Sequence, residues 1–100
     1  MERIIVTAIL RAKEHKQNDL KQELLKILSL SLTEEGWVEY RLHESIEDEN
    51  TFVFYEVWEN ENAFQSHIQS THYKTYRQNI ENLVEVRKVY TLNELKEKAN

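Results

Sequence analysis

The sequence contains no cysteine, a single glycine, no long apolar run and no excess of positive charge. Each shortage removes a class of function. Without cysteine there is no thiol nucleophile, disulfide, iron–sulfur cluster or cysteine zinc site, and no mark of an oxidising compartment. One glycine, Gly36, cannot build a phosphate-cradling loop or a dinucleotide fingerprint, so nicotinamide and flavin have no visible seat. A net charge of -5 denies the chain an electrostatic hold on a phosphate backbone, and nucleic acid is not an expected partner. No apolar stretch reaches bilayer length, and "MERIIVTAIL" has neither a basic leader nor a small-residue cleavage site. The expectation is a cytoplasmic protein with no membrane partner and no resident metal or organic cofactor.

What remains is a 100-residue chain, short enough that its core must be thin. Residues 3–12, "RIIVTAILRA", are apolar on both alternating phases, with Ile5, Thr7 and Ile9 on one and Ile4, Val6, Ala8 and Leu10 on the other, as in a strand covered on both faces. From Lys16 the period changes: Leu20, Leu24, Ile27 and Leu28 mark an amphipathic helix running to Thr33. "TEEG" stops it, with Gly36 as helix cap or as a tight turn at positive φ. "WVEYRLHESI", residues 37–46, alternates, with Val38, Tyr40, Leu42 and Ile46 on one side and Trp37, Glu39, Arg41 and His43 on the other. "EDEN" is a turn of roughly four residues into a second two-faced strand, "TFVFYEVW", residues 51–58.

Asn60 or Asn62 can cap a helix whose inward face is Ala63, Phe64, His67 and Ile68. A break near Ser70 and Thr71 precedes a second helical stretch with Tyr73, Tyr76 and Ile80. "VEVRKVYTL", residues 84–92, is the last strand, and residues 93–100, "NELKEKAN", form a charged, frayed helical tail outside the 1–92 domain. The order β-α-β-β-α-β predicts an α+β, ferredoxin-like fold whose four-stranded antiparallel sheet carries its helices on one face. The other face would then be an apolar patch, which a homodimer pairing sheet against sheet would cover.

His67 lies on the inward helix face, where it reads either as a core histidine bonded to a backbone carbonyl or as a general base. His72 is five residues on, off that face in a continuous helix, so it caps the break or lines a pocket mouth. No third ligand at matching spacing accompanies the two histidines, so no metal site is expected. Glu56 shares a phase with Phe52, Phe54 and Trp58 and reads as structural, either an ion-pair partner of Arg41 on the neighbouring strand or a contact across the dimer. Tyr40, Tyr73 and Tyr76 read as core residues, although together they suit a flat aromatic substrate.

The "EEG" turn, the "YEVW" closing the third strand and "HIQSTHYKTY" on the following helix resemble the antibiotic biosynthesis monooxygenase family, from the first strand to about Tyr90. That resemblance implies a dimeric α+β barrel and a cofactor-independent monooxygenase oxidising a quinol-like or polycyclic aromatic substrate with dioxygen. His67 would be its base, and Phe54, Trp58, His72, Tyr73 and Tyr76 would bind the small-molecule substrate. Trp37 departs from the small residue or cysteine often found after the glycine, a change in pocket size or dimer packing. "THYKTY" also resembles an isomerase branch acting on small phosphorylated sugars or signalling metabolites, for which Lys74, Arg77 and Arg87 would hold phosphate. A non-catalytic dimeric binding or stress-response domain is the third reading. If His67 is the base, His67→Ala should abolish activity and leave thermal unfolding almost unchanged.

Overall fold

The computed structural model describes residues 2–97. Its elements are β1 (Ile4–Ala12), α1 (Gln17–Ser31), β2 (Trp37–Glu44), β3 (Thr51–Trp58), α2 (Glu61–Ile68), α3 (Thr71–Ile80) and β4 (Val84–Leu92). The strands form one antiparallel sheet in the order β2-β3-β1-β4. This is the expected ferredoxin-like α+β fold, with its second helix in two pieces.

The two-phase strands take the two central positions, where both faces find neighbours. On the helix side Val6, Ala8, Leu10 and Ala12 of β1 meet Phe52, Phe54 and Trp58 of β3, covered by Leu20, Leu24 and Ile27 of α1 and Ile80 of α3. On the other side Ile5, Ile9, Val53, Tyr55 and Val57 run beside Tyr90 and Leu92 of β4, and the last two are exposed. Among the described residues no helix is long and apolar enough to cross a membrane.

Gly36 takes the turn role, since α1 closes at Leu32 in a right-handed conformation. Its φ is +88°, and a Cβ there would lie 2.5 Å from the Cβ of Ala63. Glycine therefore both makes the turn and lets β2 start close against α2.

Three local expectations are corrected. β2 ends at Glu44, leaving Ile46 98% exposed in a loop. The Ser45 hydroxyl accepts from the Glu47 and Asp48 amides, and Asp48 accepts from Asn50 N–H and Thr51 Oγ1, so side-chain bonds compete away the last ladder pairs. A bulge sets Trp37 opposite Trp58 and Glu39 opposite Val57, moving Trp37 off the phase of Glu39. The Trp37 indole donates to the Leu32 carbonyl (2.9 Å), so this residue closes the α1–β2 turn and lines neither the core nor the cavity described below. The tail carries no helix over residues 93–97, because a short charged segment with no packing face cannot offset helix nucleation; residues 98–100 lie outside the described residues.

Candidate active site

The break between α2 and α3 organises the site. Asn60 caps α2 by accepting from Ala63 N–H, and Ser70 caps α3 by accepting from Tyr73 N–H while its hydroxyl donates to the His67 carbonyl (2.6 Å). Restarting the helix at Thr71 brings His72 round to meet the same group as His67. That group is Glu34, in the "TEEG" turn. A single oxygen, Oε2, receives Nδ1 of His67 at 2.8 Å and Nε2 of His72 at 2.7 Å.

His67 is 1% exposed, packed against Trp58 (ring centroids 4.5 Å), Tyr73 (4.9 Å) and Tyr40 (5.5 Å). Burial holds its pKa below the ordinary 6.5, outweighing the upward pull of the Glu34 bond. A neutral imidazole carries one N–H, and the Glu34 carboxylate fixes it on Nδ1. Nε2 is then a bare lone pair, buried and without a hydrogen-bond partner among the described residues. It lies 3.9 Å from Oε1 of Glu56, beyond hydrogen-bond range.

Glu56 is 6% exposed and accepts from the Trp58 indole at 2.9 Å. Burial raises its pKa to about 7, opposed by that indole bond. It has no contact with Arg41, contrary to the sequence expectation. The register sets Tyr40 opposite Glu56 and Arg41 opposite Tyr55, so Arg41 lies on the outer face, paired with Glu39.

Glu56 and His67 line a cavity between the sheet and α2–α3 with Phe54, Tyr40, Tyr73, Tyr76, Arg87 and the apolar Val6, Ala8, Phe64, Ile68 and Val89. Its volume is about 30 Å³, room for about two waters or one dioxygen. Arg87 donates to the Tyr73 hydroxyl at 3.0 Å, leaving the phenol hydrogen free for a ligand. Burial pushes the phenols of Tyr40 and Tyr76 above their ordinary 10, which keeps both protonated.

Of the site residues named from the sequence, His67, Phe54, Tyr73 and Tyr76 line this one cavity. Two candidates do not: Trp58 is fully buried behind His67, and His72 lines a separate groove between α1 and α3. His67 bonds a carboxylate and not the backbone carbonyl of the core-histidine reading. Sequence reasoning missed Glu34, visible only as part of a helix-stop signal, and assigned Glu56 the wrong partner. Of the cations suggested for phosphate, only Arg87 reaches the cavity; Lys74 and Arg77 are exposed.

Residues 3–79 match the sequence model of the antibiotic biosynthesis monooxygenase family. The chain belongs to that family. It is 32% identical over 73 residues to YcnE of Bacillus subtilis, a candidate monooxygenase, covering 73% of this chain and 77% of that one. Its fold is that of the Pseudomonas aeruginosa protein PA3566 (TM-score 0.89, 24% identity, 96% of this chain and 97% of the other). A candidate antibiotic biosynthesis monooxygenase from Nitrosomonas europaea is similar too (TM-score 0.86, 22% identity, 93% and 99% covered). The family and the YcnE name support a general monooxygenase-like function.

The raised pKa of Glu56 gives this family member a pH signature. Between 4.5, its ordinary value, and about 7 the unfolded chain ionises Glu56 while the folded chain keeps the proton. Stability contributed by the neutral carboxyl is therefore present below 4.5 and lost as pH rises through 7, by up to about 3 kcal/mol. Glu56→Gln retains an acceptor for Trp58 and removes the titration. Thermal unfolding should show the stability of Glu56→Gln relative to the parent to be greater at pH 8 than at pH 5; an equal difference at both would show that Glu56 does not titrate this way.

Proposed function

We propose that residues 1–92 form a cofactor-independent monooxygenase that oxidises a quinol-like or polycyclic aromatic substrate with dioxygen. The observation that carries it is the bare, buried Nε2 of His67, held in its tautomer by Glu34 and set beside an apolar cavity with aromatic walls. A phenol or quinol that loses a proton to Nε2 becomes an anion electron-rich enough to reduce dioxygen itself. For a ring carbon bearing two hydrogens in its keto form, the first leaves as the proton taken by His67. The carbanion and dioxygen then combine, by one-electron transfer and radical recombination, to a peroxide. The proton returns to the distal oxygen, the second hydrogen leaves with that oxygen as water, and the carbon becomes a carbonyl. One oxygen atom enters the product, one enters water, and the substrate supplies every electron.

The Tyr73 hydroxyl, polarised by Arg87, is placed to donate to the oxygen on which charge develops. A cavity of about 30 Å³ holds dioxygen and no ring, so on this reading the cavity widens before an aromatic substrate enters. The apolar outer face of the sheet is the reason to assign a homodimer, sheet to sheet, burying at least about 1,200 Å² in total. Sedimentation equilibrium at micromolar concentration should give twice the 12.1 kDa chain mass; a single species of chain mass would contradict it.

His67→Ala is a poorer test than the sequence suggests, because emptying so closely packed a site costs on the order of 3 kcal/mol by itself. His67→Asn keeps an N–H close to the position of Nδ1 for Glu34 and removes Nε2. Across a panel of quinols followed by oxygen uptake, His67→Asn should lose about 10²- to 10⁴-fold in kcat while remaining folded. Undiminished uptake in folded His67→Asn, or no uptake by the parent with any member of the panel, would contradict the proposal.

A further inference from the structure

We propose that Glu34, His67 and His72 also form a binding site for one borderline divalent transition-metal ion of the Zn²⁺ or Co²⁺ class, and that filling it moves the hydrogen of His67 from Nδ1 to Nε2 and so silences the base. Metal binding stands on the ligands alone; only its catalytic consequence rests on the monooxygenase reading.

Three donor atoms, two imidazole nitrogens and a carboxylate oxygen, lie within 4.8 Å of one another. That donor set suits zinc and its neighbours; calcium and magnesium would want oxygens throughout. A tetrahedral ion about 2.0–2.1 Å from each donor separates the donors by about 3.3 Å. Glu34 Oε2 would withdraw by about half an ångström from two nitrogens now at 2.7 and 2.8 Å, and the two nitrogens, now within 4.8 Å of each other, would settle at that same spacing. The ion has a route in: the side chain of His72 is 25% exposed and lines the groove between α1 and α3, away from the substrate cavity.

An independent observation is the orphaned Nε2 of His67. A ligating histidine ordinarily donates its other N–H to a carboxylate, which fixes the ring and strengthens the ligand. Buried Glu56, with Oε1 at 3.9 Å from Nε2 and held by the Trp58 indole, is that carboxylate in waiting. The imidazole thus sits between two carboxylates and can turn its one hydrogen toward either. With hydrogen on Nδ1 it bonds Glu34 and leaves Nε2 bare. With a metal on Nδ1 the hydrogen must occupy Nε2, where Glu56 accepts it once the pair closes from 3.9 Å. The hydrogen changes nitrogen without leaving the neutral ring, and the second state has no lone pair to take a substrate proton.

The test titrates the purified full chain with Co²⁺, read from its visible d–d bands, and with Zn²⁺ in competition against a chromophoric chelator. One ion per chain is expected. Affinity should fall in both His72→Ala and Glu34→Gln by more than the about 10–100-fold cost of losing an outer partner, with thermal unfolding confirming that at least one variant folds. Absence of saturable one-to-one binding would overturn the site. So would unchanged affinity in a folded variant, which would place the ion at exposed histidines such as His15 or His43. The switch is read by the ¹⁵N resonances of His67, which should show Nε2 passing from bare to protonated as Zn²⁺ saturates; an Nε2 that stays bare would overturn the switch. Loss of oxygen uptake in step with that change is its catalytic counterpart. Should no substrate turn over at all, the monooxygenase reading fails while the binding and ¹⁵N results still decide this one.

Discussion

One carboxylate oxygen, Oε2 of Glu34, accepts from two imidazoles and ties the α1–β2 turn to both pieces of the second helix. Hydrogen bonds to a charged group are worth about 1.5–3 kcal/mol each, and losing one strands a buried polar atom at comparable cost. Other features of the chain make this contact possible. Gly36 admits the close approach of the turn to α2, and Ser70 ends one helix and caps the next so that histidines five residues apart converge. The outcome that matters chemically is on the far side of the ring: with Nδ1 committed to Glu34, Nε2 is the only nitrogen left to act.

Beyond the ring lies a second carboxylate, Glu56. Glu34, with 12% of its side chain exposed, accepts from two imidazoles, whereas Glu56 is buried with one indole donor and is pushed toward neutrality. The fold gives the two carboxyl groups different tasks: Glu34 fixes the tautomer, and Glu56 is able to carry a proton near pH 7. The cavity that Glu56 and His67 line is walled mainly by apolar and aromatic side chains, so polar contacts to a charge developing inside it are stronger than they would be in water.

Much of this was legible from local patterns. β3 follows from an apolar run on both phases, β3 and β4 both fall at the residues expected, and the Ser70 break lies between two helical faces as expected. The inward orientation of His67 follows from the spacing of Ala63, Phe64 and Ile68. What local patterns could not supply was distance. Glu34 lies 33 positions from His67, and nothing in "TEEG" reveals that its side chain turns inward. Pairing Glu56 with Arg41 required a strand register, and the register that folds puts the two residues on opposite faces. Ile46 failed for a different reason, since Ser45 and Asp48 offer the backbone better partners than another rung of the ladder.

The central claim is that His67 is a neutral imidazole with its hydrogen on Nδ1 and its lone pair on Nε2. The ¹⁵N chemical shifts of the His67 ring, measured at pH 7 in the metal-free protein, read this directly. The account predicts a protonated Nδ1 and a bare Nε2, with that preference weakened in Glu34→Gln. A protonated Nε2 in the parent protein, or a preference indifferent to Glu34, would contradict it.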